Sequence, residues 1–467
     1  MFAIVTFSIV TALLVGVVVK FVLDRSDSEY EITWIEYCIG VVVISFIVVP
    51  LSVKLGWNAA RDNRVTFNEN LNGWELSPAW ITIPCSRDGP CANEYNCDPY
   101  RCNCHEVCDS RDEDGSCTSS HEVCSTCYHD CPYVTEEWSF RVQSTIGTFS
   151  ISEHRLPNNP NGMRWRRSVS VPQSVINSAG VGIPDFWRAV KARIDSGCPG
   201  PVMRRSSYQN YILASDRTIF HQYSSQVNTL VARNLLPRLQ NGVHNFYYAD
   251  RAYFVGFRPT DSNLWQKRLG YFNSALGSEL QGDLHLVVVR NASLNPDEYT
   301  LALRAYWQNR EIFERNSLSK NAVVVVLGTT NGERVEWARA FTGMPVGNEA
   351  LPIVIQNQLR GTLLNPDSVI GEVVGQFNPG NSSVRGVRQS GALTRILWGL
   401  DNPTTRFRRV SMSGTNPNDV GGGFLYLRNE IQPTSGQKIG IFVITFICCM
   451  IVWLAFALIG ARTWQRR

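Results

Sequence analysis

The chain has 467 residues, 44% apolar and 11% aromatic, which is ample core material and excludes a disordered polymer. Its 44 basic and 40 acidic residues leave a net charge of +4, with no lysine-rich tail and no basic helix interleaved with aromatics. No nucleic-acid partner is therefore expected, and the length allows two or three domains.

Three hydrophobic segments decide the broad class, because about 20 apolar residues in a helix span a hydrocarbon core roughly 30 Å thick. Phe2 to Leu23 form the first, which lacks both the basic start and the small-x-small cleavage site of a signal peptide, the competing reading. Ile35 to Leu55 form the second, flanked by Trp34 and Trp57, whose amphipathic rings favour the lipid interface. Ile439 to Ala461 form the third, followed by Arg462, Arg466 and Arg467. A lipid bilayer is thus the first expected partner. The basic residues after the last span put the tail in the cytoplasm and, with three spans, residues 58–437 outside it. Residues 1–57 and 438–467 are the expected membrane parts.

Ten of the 14 cysteines fall within the 47 residues from Cys85 to Cys131, namely Cys85, Cys91, Cys97, Cys102, Cys104, Cys108, Cys117, Cys124, Cys127 and Cys131. Residues 58–84 read as a strand leading into this cluster, while Trp138–Val142 and Gly147–Ser152 alternate apolar and polar residues, the period of half-buried strands. The cluster is expected as an elaboration between strands, within a β-rich, cysteine-rich module over residues 58–165. Residues 155–183 are crowded with Pro, Asn, Arg and Gly, which marks a loop or boundary. Ile183–Arg193 and Tyr208–Leu239 carry helical spacing, in a connecting region over residues 166–243.

Residues 244–375 read as an α/β domain. Strands are expected at Tyr253–Phe257, Leu284–Val289, Ala322–Leu327 and Val335–Phe341, and helices from Asp261 to Leu276, Pro296 to Phe313 and Asn348 to Leu359. Two continuous apolar strands separated by a helix imply a mixed sheet covered by helices on both faces. Residues 376–437 return to Gly, Asn, Pro and Ser, with short strands expected at Arg395–Trp398 and Phe424–Leu427. Glycines 421–423 free the backbone to turn before the latter.

The run Leu284-His-Leu-Val-Val-Val289, then Asp297-Glu-Tyr299 with Trp307 downstream, Lys320-Asn-Ala-Val-Val-Val-Val-Leu327, and Glu333-Arg-Val-Glu336 before Thr342-Gly343 together resemble the TPM domain of membrane-anchored bacterial and thylakoid-lumen proteins. The resemblance covers residues 244–375. It implies phosphatase chemistry and calcium binding, in which Asp250 or Glu349 would serve. Pro345–Ala350 departs from the family's acidic, glycine-rich version of that segment.

Two explanations fit the cysteine cluster. Ten cysteines, an even number, in an exported segment too polar to build a core suggest disulfide staples. Cys124-x-x-Cys127 also has zinc-ligand spacing, with Cys104, Cys108, His105, His121 and His129 alongside. The echo between Cys104–Cys108 and His121–Cys124 is not a His-Glu-x-x-His protease motif, because each copy lacks the second histidine. The sequence holds no Gly-x-Ser-x-Gly elbow and no phosphate-cradling Gly-x-x-x-x-Gly-Lys loop. His285 reads as a packed, hydrogen-bonded strand histidine, and Asp250, Asp261, Asp297 and Glu298 as helix-capping groups. Asn291-Ala-Ser and Asn381-Ser-Ser match the glycosylation pattern. The reading that needs no catalytic group is a membrane-tethered scaffold with protein partners. Its rivals are the metal-dependent hydrolase that the resemblance implies, and a viral or phage membrane protein acting at a host envelope.

Overall fold

The computed structural model describes residues 1–25, 32–84, 96–111, 117–130, 136–150, 182–215, 224–240, 250–378, 383–410, 412 and 424–464. Three helices are long and apolar enough to cross a membrane. The first is α1, Phe2–Arg25. The second, α2, runs unbroken from Trp34 to Val65, ten residues past the apolar segment legible in the sequence. A capping box starts it, with Thr33 and Glu36 each bonding the other's backbone N–H. Residues Ile44–Val48 form a π segment just before Pro50, whose missing N–H and bulky ring disfavour regular helix there.

The last helix, named α9 below, is Ser435–Trp464. Trp453 locks it to the other two: its indole N–H donates to the Ala12 carbonyl at 3.1 Å, its ring stacks on Tyr37, and it fills the space beside Gly16 and Gly40. Small residues let the helices approach closely where lipid offers no hydrophobic driving force.

Outside the bundle, β1 (Thr66–Pro84) begins at the residue after α2 ends. The stretch from residue 58 to Val65 is helix, which corrects the expected strand at that end. β1 organises an antiparallel sheet with β4 (Glu136–Ser144), β5 (Gly147–Ser150) and β6 (Pro201–Gln209), in the order β5-β4-β1-β6. Between β1 and β4 lies the cysteine-rich hairpin, β2 (Asn96–Arg111) and β3 (Cys117–Asp130). Helix α3 (Asp185–Asp195) packs Trp187 and Val190 onto this sheet.

Among the described residues, the expected helix from Tyr208 to Leu239 is broken into shorter pieces rather than continuous. Tyr208 sits in β6, paired with Phe67 of β1, and among the described residues only Ser224–Ala232 (α4) is a helix of more than one turn. Pairing with β1 overrides the local spacing. The connecting region therefore contributes a strand to the first sheet.

The second sheet has the order β10-β9-β8-β7, from β7 (Ala252–Val255), β8 (Asp283–Arg290), β9 (Ala322–Thr329) and β10 (Trp337–Thr342). β7, β8 and β9 are parallel and β10 antiparallel, so the sheet is mixed. Side chains alternate between two cores: Leu284, Leu286 and Val288 meet α5 (Ser262–Leu280), while Val287 and Val289 meet α6 (Pro296–Gln308). The strands step across the sheet in one direction while these crossover helices lie on opposite faces. The two crossovers therefore have opposite hands, and one departs from the usual right-handed rule. α7 (Leu351–Leu359) holds Pro352 in its first turn, as the sequence suggests.

A two-stranded sheet, β11 (Gly371–Asn378) with β12 (Ser383–Ser390), lies over α5, where Gly386 meets Ala275. Arg395–Trp398 belongs to helix α8 (Ala392–Trp398), and Leu425–Asn429 is a 3-10 turn, so neither expected strand forms. Four-residue apolar runs do not discriminate helix from strand, and burial of Ile396 and Leu397 against the main core decides the first.

Candidate functional site

The cysteine-rich hairpin carries three disulfides, Cys102–Cys127, Cys104–Cys124 and Cys108–Cys117, nested along its length. A bulge between Cys102 and His105 re-aims the strand, with Asn103 at a φ of 49°. Most described side chains here are exposed, and a lone two-stranded hairpin is marginal in water, so the cross-links hold it. Glu106 and Glu122 face each other across the ladder, a like-charge pair that opposes pairing and increases the need for staples.

Cys104, Cys108, Cys124 and Cys127 of the zinc alternative are all bonded to other cysteines. A zinc ligand must be a free thiolate, so the two explanations exclude one another at these four sulfurs. The one metal-type grouping among the described residues, Cys104, Glu122 and Cys124, includes two sulfurs joined to each other. His105 Nδ1 lies 3.3 Å from the Asn103 carbonyl and His121 Nδ1 2.6 Å from Asp109. Cys85, Cys91 and Cys131 lie outside the described residues, as do the side chains of Cys97 and His129.

In the α/β region His285 is buried in a polar seam that sequence reasoning foresaw only in part. Asp283 accepts from Arg251 Nε at 3.2 Å and Asn72 Nδ2 at 3.1 Å, and its other oxygen lies 3.2 Å from His285 Nε2. His285 Nδ1 faces the Tyr253 hydroxyl at 3.5 Å, and Trp307 packs against both rings. Burial alone would push the Asp283 carboxyl up, but Arg251 and then His285 outweigh it and hold the group well below the usual carboxylate range. Burial pushes His285 below its ordinary value, against the pull of Asp283. The seam sits at the amino ends of β7 and β8, whereas ligands of open α/β sheets bind at carboxyl ends. It joins the second sheet to β1.

A second junction repeats the design. Glu69 of β1 is buried and takes Arg409 at 2.6 Å and Lys320 at 3.6 Å. A third has buried Glu75 accepting from Arg193 Nε at 2.9 Å and the Gly200 N–H at 2.8 Å. Each carboxylate occupies a buried strand position, which the sequence alone does not reveal.

Asp250 is exposed at the entrance to β7, and exposed Glu349 accepts from the Gly347 N–H at 3.0 Å. No hydrogen bond or ion pair joins these two carboxylates among the described residues. The capping expectation fails for Asp261, whose side chain makes no cap bond, and for Asp297 and Glu298, since Asn295 caps α6 by accepting from both their N–H groups. Asp297 instead pairs with Arg339 at 2.6 Å. The described residues also form a surface groove of about 280 Å³ between α4 and the start of α6, and another of about 220 Å³ between α5 and β11 that includes the free thiol of Cys198. No family model, curated protein or solved structure matches the chain.

Proposed function

We propose that the chain is a membrane-tethered extracytoplasmic scaffold, whose stapled hairpin and α/β domain present surfaces to protein partners. The observation that carries this reading is the disulfide ladder on an exposed hairpin in a chain with membrane-length apolar helices at both ends. Disulfides persist in oxidising compartments and are rare in the cytosol. Arg462, Arg466 and Arg467 after the last span and Arg25 after the first, offset in part by Arg61, Arg64 and Lys438 on the domain side, support a cytoplasmic tail, and the disulfides support the same orientation. The TPM resemblance supports a membrane-anchored α/β module in the same compartment.

A reporter active only outside the cytoplasm should work when fused within residues 58–437 and fail after Arg467. Thiol counting on the denatured, unreduced chain should find the six hairpin cysteines unreactive. Activity after Arg467, or free hairpin thiols together with bound zinc, would overturn the reading.

A further inference from the structure

We propose that the groove between β11 and α5 is a docking site for an extended segment of a partner protein, which adds to β11 as a third strand. The groove is lined by Glu372, Val373, Val374 and Gly375, four consecutive residues of β11. Neighbouring side chains in a strand point to opposite faces, so four in a row can line one groove only when it runs along the strand's backbone edge. β11 has β12 as its one partner in a two-stranded sheet, which leaves this edge unpaired among the described residues.

The floor is the first half of α5, with Leu264, Lys267, Arg268 and Tyr271, and Cys198 stands beside it. Leu264 is 39% exposed and Val374 42%, apolar surface that an added strand would cover. Such a strand would lie about 4.8 Å from β11, over the floor formed by α5.

Backbone N–H and C=O groups along a free edge are matched by an extended peptide, and side-chain pockets below then read alternate residues. The charges indicate which peptide. Arg268 is already paired with Asp367 and Glu372, whereas exposed Lys267 forms no ion pair among the described residues. The segment is thus apolar at alternate positions and carries an acidic side chain over Lys267. This deepens the scaffold reading and rests on it for the compartment in which the partner is met.

The full chain in detergent is panned against a phage-displayed random peptide library, with Leu264→Asp as the counter-selection. Enriched peptides should alternate apolar residues and include Asp or Glu. A synthetic copy at saturation should slow N-ethylmaleimide alkylation of Cys198, read by mass spectrometry of that peptide. Methylating backbone nitrogens of the copy one at a time should weaken binding about fivefold to tenfold at alternate positions and leave the intervening ones unchanged, since each lost hydrogen bond is worth about 1 kcal/mol. Lys267→Glu should weaken the acid-bearing copy. No enrichment over Leu264→Asp, peptides that bind while Cys198 stays fully reactive, or methylation without an alternating pattern would overturn the proposal. So would a dimer of the unliganded chain that Leu264→Asp dissolves, since the edge would then belong to a second copy. None of these results depends on membrane orientation, so the reporter fusions fail or succeed separately.

Discussion

Replacing Arg251 with Leu should be among the most damaging single changes outside the membrane helices. Arg251 and Asp283 are both fully buried, and Arg251 Nε is one of three polar partners within 3.2 Å of the carboxylate. Removing the guanidinium leaves a buried anion with Asn70, Asn72 and His285 but no fixed cation, and also strips a donor from the Gln240 carbonyl. Breaking such a pair costs about 3–5 kcal/mol. The double variant Arg251→Leu, Asp283→Asn should recover much of the loss, because a neutral amide replaces the stranded charge.

The pH dependence should also invert. In the parent the Asp283 carboxyl sits below its unfolded value, so its contribution is fully present above about pH 4 and is lost as pH falls further. In Arg251→Leu burial dominates and the folded group sits above its unfolded value. Its penalty is then present at neutral pH and is relieved on acidification. Proteolytic susceptibility of residues 250–378 in a urea series, at pH 7, pH 4.5 and pH 3, reads both effects. A single variant within about 1 kcal/mol of the parent at pH 7 would show that the seam is solvated and refute the reasoning.

Val288→Asp or Val325→Asp should abolish protease resistance over the same residues, since each puts an unpaired charge into a strand buried on both faces at a cost of several kcal/mol. His285 is held below its ordinary value, so the unfolded chain gains a proton first and stability should fall as pH drops below about 6.5. His285→Asn should flatten that slope in the same urea series. Gly40→Leu should expel Trp453 from its slot, where a Cβ would already stand 2.6 Å from the ring, and lower the temperature at which the detergent-solubilised chain aggregates.

Much of this architecture is legible in the sequence because two signals are strong. Membrane spans need length and apolarity alone, and β8 and β9 are continuous valine-rich runs that only a doubly covered sheet explains. The edges were less legible. Residues 58–65 hold the helix formers Ala59, Ala60, Arg61 and Arg64, but they are polar and follow the apolar segment, so hydropathy alone ends the span too early, and β6 was hidden because Tyr208 and the leucines beyond it happen to keep helical spacing. The buried carboxylates were hidden for a different reason. Glu69, Glu75 and Asp283 look like surface residues until the partners Arg409, Arg193 and Arg251, remote in sequence or in a separate element, are folded onto them. The Cys198 groove depends on a strand edge, and an edge is defined by what fails to pair with it.

The join between membrane and domain bears on what a tether can do. α2 ends at Val65 and β1 starts at Thr66, so no flexible linker separates the span from the sheet. The second attachment is equally short: Arg64 donates to the Gln432 carbonyl at 2.7 Å, three residues before α9 begins, and Ile441 packs on Gly56. Two attachments fix both tilt and rotation of the first sheet relative to the bundle. β1 spans about 60 Å if fully extended, with a register shift between Glu75 and Ser77, so the first sheet is built on a strand that continues directly from the span. Binding normally costs free energy to order the partners, and a surface already held in place avoids part of that loss. For the scaffold proposed above, a surface held this way favours partners anchored in, or confined near, the same membrane, whose binding faces keep a constant orientation.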